Sequence, residues 1–303
     1  MADVVSVVGL EKSYGSLRAV DGISFSVGEG EIFGLVGPNG AGKTTTWEIL
    51  EGLRRADGGS IQVAGIDVRK HRRRLRTLIG VQLQATALFE RLTVRETLEV
   101  FAAMYPTRVP ADRLVKLVNL EEKADEWTEK LSGGQKQRLA VALALVNDPK
   151  IVFLDEPTTG LDPQARRSLW DVIAEFRKAG KTVMLTTHYM EEAERLCDRV
   201  GVMDRGKLLA LDRPSQLIRE MGQRDAVEFV ADGEADAFRG MPGVEEMSEE
   251  NGLVTLYTRR LDVTLPAVFD LARQRGMRVE DFRVRNASLE DVFLHLTGRR
   301  IRE

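Results

Sequence analysis

The chain of 303 residues has one cysteine, no long hydrophobic run and little net charge. The lone Cys197 excludes an internal disulfide and fits the reducing cytosol. No apolar run approaches the roughly 20 residues of a membrane-spanning helix, and the first residues lack the basic and apolar pattern of a secretory signal. A net charge of −3 gives no support to nucleic-acid binding. These absences predict a soluble cytosolic chain.

Internal repeats are also lacking, so each motif in the chain occurs once. A length of 303 residues predicts about two domains, each able to bury its own core. The 43% of hydrophobic residues against 30% of charged residues is typical of a globular protein.

A glycine-rich motif, G-x-x-x-x-G-K-T, spans Gly37 to Thr44. The apolar run 32–36 before it predicts a buried strand, and residues 46–53 after it predict a helix. In this context glycines let backbone N–H groups converge on phosphate oxygens at a helix N-terminus. Lys43 would reach the β- and γ-phosphates and the Thr44 hydroxyl would bind Mg²⁺. The alternative is a chance glycine turn before a helix. The predicted nucleoside triphosphate loop contains Gly37, Pro38, Asn39, Gly40, Ala41, Gly42, Lys43, Thr44 and Thr45.

Two carboxylates, Asp155 and Glu156, follow the continuous apolar run 151–154. Such a run is typical of a central parallel strand, and α/β sheets bind ligands at the carboxyl ends of their strands. Asp155 would hold Mg²⁺, and Glu156 would polarise the attacking water. A plain turn is the alternative. His188 follows the next buried strand, 182–186, so we expect it at the same sheet edge in contact with a phosphate, whereas His71 and His295 have no predicted role.

A second glycine motif, Leu131-Ser-Gly-Gly-Gln135, precedes the apolar helix predicted for 139–146. The spacing of Ser132 and Gln135 is that of a capping box, which is a purely structural explanation. Adjacent glycines weaken a helix start, however, and are expected where a phosphate approaches the backbone. Thr93 and Glu96 have the spacing of another capping box, which predicts the start of a helix. Residues 85 to about 148 are predicted to be an all-helical insertion.

The segment 69–76 is densely basic. A solvated helix face explains it most simply. The alternative is contact with anionic lipid head groups.

Together these motifs resemble the nucleotide-binding subunit of ATP-binding-cassette (ABC) transporters, from residue 4 to about residue 220. The resemblance implies a cassette with a parallel core sheet, an antiparallel β-layer and a helical subdomain, within residues 1–223. It implies that two copies sandwich ATP. Lys43 of one copy and the motif Leu131 to Gln135 of the other, here called the Ser132 motif, then face the same γ-phosphate. It also implies that Glu156 is the general base and His188 contacts the γ-phosphate. The further implied ligands of ATP or Mg²⁺ are Tyr14, which stacks on adenine, Gln84, Ser132, Gly133, Gly134, Gln135 and Asp162.

The glutamine assignment has two candidates, Gln82 and Gln84. We assign Gln84, because it ends the predicted strand, as the residue that senses Mg²⁺ and the membrane partner. Residue 82 is more often apolar in the family.

The composition shifts after residue 206, and residues 224–303 predict a small α+β domain. Its end, Ala287 to Gly298, is similar to the tail of drug-export cassettes of the daunorubicin-resistance type. The resemblance therefore implies an ATP-hydrolysing export subunit on the cytoplasmic face of the cell membrane, which pairs with a second copy and with membrane permease subunits and moves a drug-like or other small molecule. The alternatives are a soluble ABC ATPase acting on ribosomes or DNA, a subunit moving an ion, polysaccharide or lipid, and a phosphate-loop kinase or GTPase.

Overall fold

A computed structural model describes residues 3–83, 88–220, 224–231, 235–250 and 252–298. The chain divides into two compact units, one ending at Pro214 and the other beginning at Ser215. The domain boundary at residue 223 stays a prediction. Within the described residues, no helix combines the length and apolar character needed to cross a membrane.

The first unit begins with an antiparallel sheet of four strands in the order β2-β1-β4-β5. Its first two strands confirm the antiparallel layer that the resemblance implies, and a tight turn joins them between Tyr14 and Leu17. The strands are β1 (Asp3–Tyr14), β2 (Leu17–Gly28), β4 (Gly58–Val63) and β5 (Ile66–Asp67).

A second sheet of six strands has the order β10-β9-β3-β8-β7-β6. Five strands are parallel and β10 pairs antiparallel at one edge. Every residue of β3, β7 and β8 is buried, which confirms that the continuous apolar runs are central strands. The strands are β3 (Ile32–Val36), β6 (Ile79–Gln82), β7 (Ile151–Asp155), β8 (Thr182–Thr187), β9 (Arg199–Asp204) and β10 (Lys207–Asp212).

Helix α1 (Lys43–Leu50) contacts strands of both sheets. Its Trp47 ring meets the Phe153 ring of β7 edge to face, with centroids 6.1 Å apart. The helix begins at Lys43 instead of the predicted residue 46, because Gly42, at φ 102°, turns the phosphate loop directly into the first helical turn. The other helices of this frame are α2 (Arg72–Leu75), α6 (Pro163–Lys178) and α7 (Met190–Leu196).

The predicted helical insertion contains α3 (Val94–Ala102), α4 (Ala111–Leu117) and α5 (Gly133–Leu143). Both capping boxes are confirmed, at Thr93 for α3 and at Ser132 for α5. Helix α5 starts at the glycine pair and not at residue 139, because the Ser132 and Gln135 hydrogen bonds hold the glycines in its first turn. Short 3₁₀ turns span Glu121–Lys123 and Thr128–Lys130.

The second unit contains an antiparallel sheet in the order β12-β13-β11-β14. Its strands and helices confirm the predicted α+β character. The sequence of β12, V-E-E-M-S-E-E, is dominated by acidic residues, which is unusual for a strand. An ion-paired network joins Arg285 of β14 to Glu228 of β11 and to Asp291 of the last helix. The elements are α8 (Pro214–Glu220), β11 (Asp225–Ala231), β12 (Val244–Glu250), β13 (Leu253–Thr258), α9 (Leu261–Arg275), β14 (Val279–Asn286) and α10 (Leu289–Thr297).

Candidate active site

The phosphate loop connects β3 to α1 and depends on glycine at two points of close approach. A Cβ at Gly37 would lie 2.1 Å from the Met203 carbonyl oxygen, and a Cβ at Gly42 would lie 2.2 Å from the Ala19 carbonyl oxygen. Both glycines have positive φ, at 155° and 102°. Only glycine allows the backbone to follow this path.

Lys43 is the buried cation of the loop, with 4% of its surface exposed. Its Nζ donates to the Gly37 carbonyl at 2.8 Å and to the Pro38 carbonyl at 3.1 Å. Burial lowers the pKa of Lys43, while the nearby Glu156 carboxylate opposes that shift. The first turn of α1, which lies wholly in the described chain, holds no acidic residue and has no side-chain cap. The ammonium group and the uncapped helix start therefore present positive charge to an anion.

The carboxyl end of β7 carries Asp155 and Glu156, and Thr186 of β8 anchors both. The Thr186 hydroxyl donates to Asp155 and accepts the Glu156 N–H, which lies 2.9 Å away. The Thr44 hydroxyl lies 3.4 Å from Asp155 Oδ1. Burial raises the pKa of Asp155 against its hydrogen bond from Thr186. The strand end thus holds two carboxyl groups beside the phosphate loop.

Glu156 is held on both oxygens. Its Oε1 lies 3.2 Å from Lys43 Nζ, and its Oε2 lies 3.2 Å from His188 Nδ1. The Thr159 hydroxyl also donates to Oε2, at 3.2 Å. The contact with His188 and the charge of Lys43 lower the pKa of Glu156 to about 2, so the side chain is a carboxylate at neutral pH. Its backbone lies in the left-handed region, with φ 47°.

A set of contacts ties α6 to the segment that carries His188. The Arg166 guanidinium of α6 lies 3.9 Å above the Tyr189 ring, and that ring lies 4.2 Å from the His188 ring. One turn further, Trp170 Nε1 donates to the buried Glu192 carboxylate of α7 at 2.8 Å. The position of His188 therefore depends on how α6 and α7 pack.

An open cleft of about 640 Å³ lies over the phosphate loop. Tyr14 lines this cleft with 40% of its surface exposed, and Lys12 Nζ and the Arg54 guanidinium each lie 5.3 Å from the centre of its ring. Asn39 and Glu156 also line the cleft. The remaining lining residues are Leu17, Arg18, Ala19, Gly40, Gly42, Lys43, Thr44, Thr45 and Arg205.

A second cleft, of about 470 Å³, lies at the Ser132 motif and shares no lining residue with the first. Ser132 caps α5, and Asp162 caps α6 by accepting the Gln164 and Ala165 N–H groups at 2.9 Å each. The cleft is lined by Ser132, Gly133, Gly134, Gln135, Arg138, Gly160, Leu161, Asp162, Gln164, Ala165 and Ser168. The predicted nucleotide ligands thus fall into two groups, with only the first beside Lys43.

The structure describes only one of the two candidate glutamines. Gln84 lies outside the described residues. Gln82 is 2% exposed on β6, where its side-chain amide donates to the Leu83 carbonyl at 2.6 Å. Sequence reasoning missed Thr186 and Thr159, the two hydroxyl groups that hold the carboxylates. The sequence signal for Thr186 was the pair of threonines that ends the buried strand β8, T-V-M-L-T-T.

Comparison with known proteins matches both units. A family model for the ABC transporter matches residues 20–159, and a model for the DrrA1-3-like ATP-binding protein C-terminal domain matches residues 214–297. The Nod factor export ATP-binding protein I of Ralstonia nicotianae is 42% identical over 99% of this chain and 95% of its own length. The daunorubicin resistance ATP-binding protein DrrA2 of Streptomyces coeruleorubidus is 40% identical over 98% of this chain and 95% of its own length.

Solved structures of ABC transporter cassettes match about 70% of the chain. CbiO1 of Clostridium perfringens, part of an ABC transporter complex, has a TM-score of 0.66 and 29% identity over 73% of this chain and 92% of its own. A dimeric ATP-binding cassette in a post-hydrolysis state with ADP and Pi has a TM-score of 0.63 and 27% identity over 69% of this chain and 98% of its own. The cassette fold predicted from the sequence is confirmed.

Proposed function

This chain belongs to the ABC transporter family as an ATP-hydrolysing subunit of the export type, and we propose that it drives the efflux of a drug-like or other small molecule through separate membrane subunits. The observation that carries the cargo class is similarity to export proteins along nearly the whole chain, including residues 214–297. The cargoes for which those relatives are named are not assigned to this chain. The cargo proposed here is their common class, a small organic molecule.

ATP would bind with its phosphates in the loop 37–45 and its adenine against Tyr14. Lys43 and the N-terminus of α1 would stabilise the β- and γ-phosphates by positive charge. Glu156, ionised and aimed into the cleft, would accept a proton from the attacking water. His188, which contacts Glu156, would orient that carboxylate and the γ-phosphate. Gln84 completes the proposed catalytic set.

The site also fits Mg²⁺. The Thr44 hydroxyl and the Asp155 carboxylate bring hard oxygen atoms together at the loop, and such oxygens suit this ion. Among the residues that the structure describes, no cluster of three His, Cys, Asp or Glu side chains could hold a metal by itself. Thr44 and Asp155, with Gln84, would therefore share the ion with phosphate oxygens. Bound Mg²⁺ would neutralise phosphate charge as γ-phosphate leaves.

A second copy of the chain would complete each site. The two clefts share no residue, so a nucleotide held by Lys43 has its Ser132 and Asp162 contacts available on another molecule. ATP binding would then favour the closed dimer, and hydrolysis would release it. The closing and reopening of the dimer would move the membrane subunits, which it would contact at the cytoplasmic face of the membrane. Nucleic acid is not a proposed partner.

Mixing two inactive variants tests the composite site. Lys43→Met destroys the first cleft and Ser132→Arg blocks the second, so each homodimer should lack turnover. The 1:1 mixture should recover roughly a quarter of wild-type turnover, because about half of the dimers pair one variant with the other and each of these has one intact site of its two. A mixture as inactive as its components would overturn the shared site.

Purification with a tagged Glu156→Gln protein from detergent-solubilised native membranes, with ATP and Mg²⁺, tests the export role. A polytopic membrane protein in stoichiometric amount should co-purify, and transport assays on that pair would then assign the cargo. Recovery of ribosomal or DNA-repair proteins alone would favour the soluble ABC ATPase instead. The same purification from cells that lack the protein's gene controls for background.

A further inference from the structure

Two segments that are distant in sequence form one basic face. The Arg72 guanidinium donates to the Arg54 carbonyl at 3.4 Å, and Arg69 donates to the Ala56 carbonyl at 3.5 Å. An ideal Cβ at Gly52 would lie 3.5 Å from Arg72 Cγ. These contacts place the turn after α1 beside the segment that contains α2. We call the surface formed by residues 54–55 and 69–76 the arginine face.

The charge of the arginine face opposes that of the rest of the chain. Residues 54–76 contain eight Lys and Arg and two Asp, a net charge of +6, whereas the whole chain carries −3. The remainder therefore carries −9. A concentrated positive field on an otherwise acidic protein indicates an anionic partner at that face.

Most of this charge has no ion-pair partner among the residues that the structure describes. Arg54 pairs with Glu48 and Lys70 pairs with Asp67. The other six guanidinium groups have no carboxylate within ion-pairing distance in the part of the chain that the structure describes. They belong to Arg55, Arg69, Arg72, Arg73, Arg74 and Arg76, and all but Arg72 are exposed. Leu75 is fully buried, so the four-residue helix that carries three of them is anchored in the core.

Exposed apolar side chains adjoin the arginine face. Arg76 lines a groove of about 390 Å³ together with Leu53, Leu83 and Phe101. Leu53 is 49% exposed and Leu83 is 43% exposed. Basic side chains beside exposed apolar ones match the boundary between lipid head groups and acyl chains.

From this juxtaposition we propose that the arginine face binds the anionic head groups of the membrane directly, independently of any membrane subunit. The phosphate groups of the lipids would pair with the guanidinium groups, for which arginine is well suited. Leu53 and Leu83 would lie at the head-group level. This binding would hold the ATPase at the membrane before it meets a partner.

The test is co-sedimentation of the purified full-length protein with lipid vesicles. The vesicles are phosphatidylcholine with or without about one quarter of phosphatidylglycerol. The protein should bind only the anionic vesicles, and raising the salt from about 50 mM to about 500 mM should release it. Arg73→Gln/Arg74→Gln/Arg76→Gln should bind roughly 100-fold more weakly, because each basic side chain near an anionic surface contributes a factor of about five.

The matched control is Arg273→Gln/Arg275→Gln/Arg283→Gln, which removes the same charge from exposed residues of the second unit. It should bind like the wild type, and both variants should keep the wild-type melting temperature and soluble ATP hydrolysis. Equal binding by both triple variants, or no binding of the wild type to anionic vesicles, overturns the proposal. Binding of the face to a soluble acidic peptide with no binding to vesicles would assign it to a protein partner instead. Because the vesicles hold no protein, none of these outcomes bears on the export role.

Discussion

Lys43 Nζ and Glu156 Oε1 lie 3.2 Å apart, and both side chains are almost fully buried. One ion pair therefore joins the group that would bind the phosphates to the group that would activate water. Each charge compensates the burial of the other, so removal of one leaves the other uncompensated. The phosphate loop and the end of β7 form a single electrostatic unit.

Replacing Glu156 with Gln should lower ATP turnover by at least about 100-fold, because the amide cannot accept the proton of the attacking water. ATP binding should persist, and the variant should accumulate as an ATP-bound dimer. Light scattering with and without ATP measures the dimer, and phosphate release measures turnover. Glu191→Gln, an exposed carboxylate of α7, is the control and should behave like the wild type. A Glu156→Gln protein that stays monomeric in ATP would contradict the sandwich.

Replacing Lys43 with Met should weaken ATP binding by roughly tenfold or more, because a charge-assisted contact to phosphate is lost. It should also lower the free energy of unfolding by about 3 kcal/mol, since Glu156 then keeps a buried charge without its cation. The double variant Lys43→Met/Glu156→Gln should regain part of that stability. Calorimetric titration and urea unfolding provide the measurements, and strictly additive stability losses would contradict the coupling.

Replacing Gly80 with Ala should destabilise the first unit by about 3 kcal/mol or more. The added Cβ would lie 1.7 Å from the Ala144 carbonyl oxygen and 2.9 Å from Pro149 Cγ, so β6 would have to separate from the chain that follows α5. Gly133→Ala is the contrast: its Cβ meets nothing within 4 Å in the described chain. Thermal unfolding should show a large fall for Gly80→Ala and little change for Gly133→Ala. Equal melting temperatures would contradict this packing.

Stability should fall with rising pH because of Glu51. This side chain is 2% exposed, its Oε1 has no hydrogen-bond partner among the described residues, and burial raises its pKa to about 8. The unfolded chain has a pKa near 4.3 at this group, so the folded state binds the proton more tightly. The stabilisation is complete below about pH 4 and is lost as the pH rises to about 8. Glu51→Gln, an uncharged amide, should flatten this slope in urea unfolding between pH 6 and about 8.5. An unchanged slope would show that Glu51 is ionised in the folded protein.

The fold and much of the site could be predicted because they depend on local patterns. Apolar runs without alternation identified β3, β7 and β8, and the glycine spacing identified the phosphate loop. Thr186 could not be predicted as the anchor of Asp155 and Glu156, because its hydroxyl reaches them only when β7 and β8 pair. The arginine face likewise requires the contact between Arg54 and Arg72, which are far apart in sequence. Strand β12 could not be predicted, because its acidic sequence is unusual for a strand.

The left-handed backbone of Glu156, at φ 47°, links catalysis to stability in evolution. A residue other than Gly, Asn or Asp occupies this region at a cost of about 1 kcal/mol. Gly at this position would relieve the strain, but it would leave the buried Lys43 ammonium without its carboxylate, at a cost of about 3 kcal/mol. The strain is therefore smaller than the stabilisation from the ion pair, so stability and the proposed proton transfer both favour Glu156. Laboratory evolution under thermal selection should retain an acidic side chain here even without an activity screen.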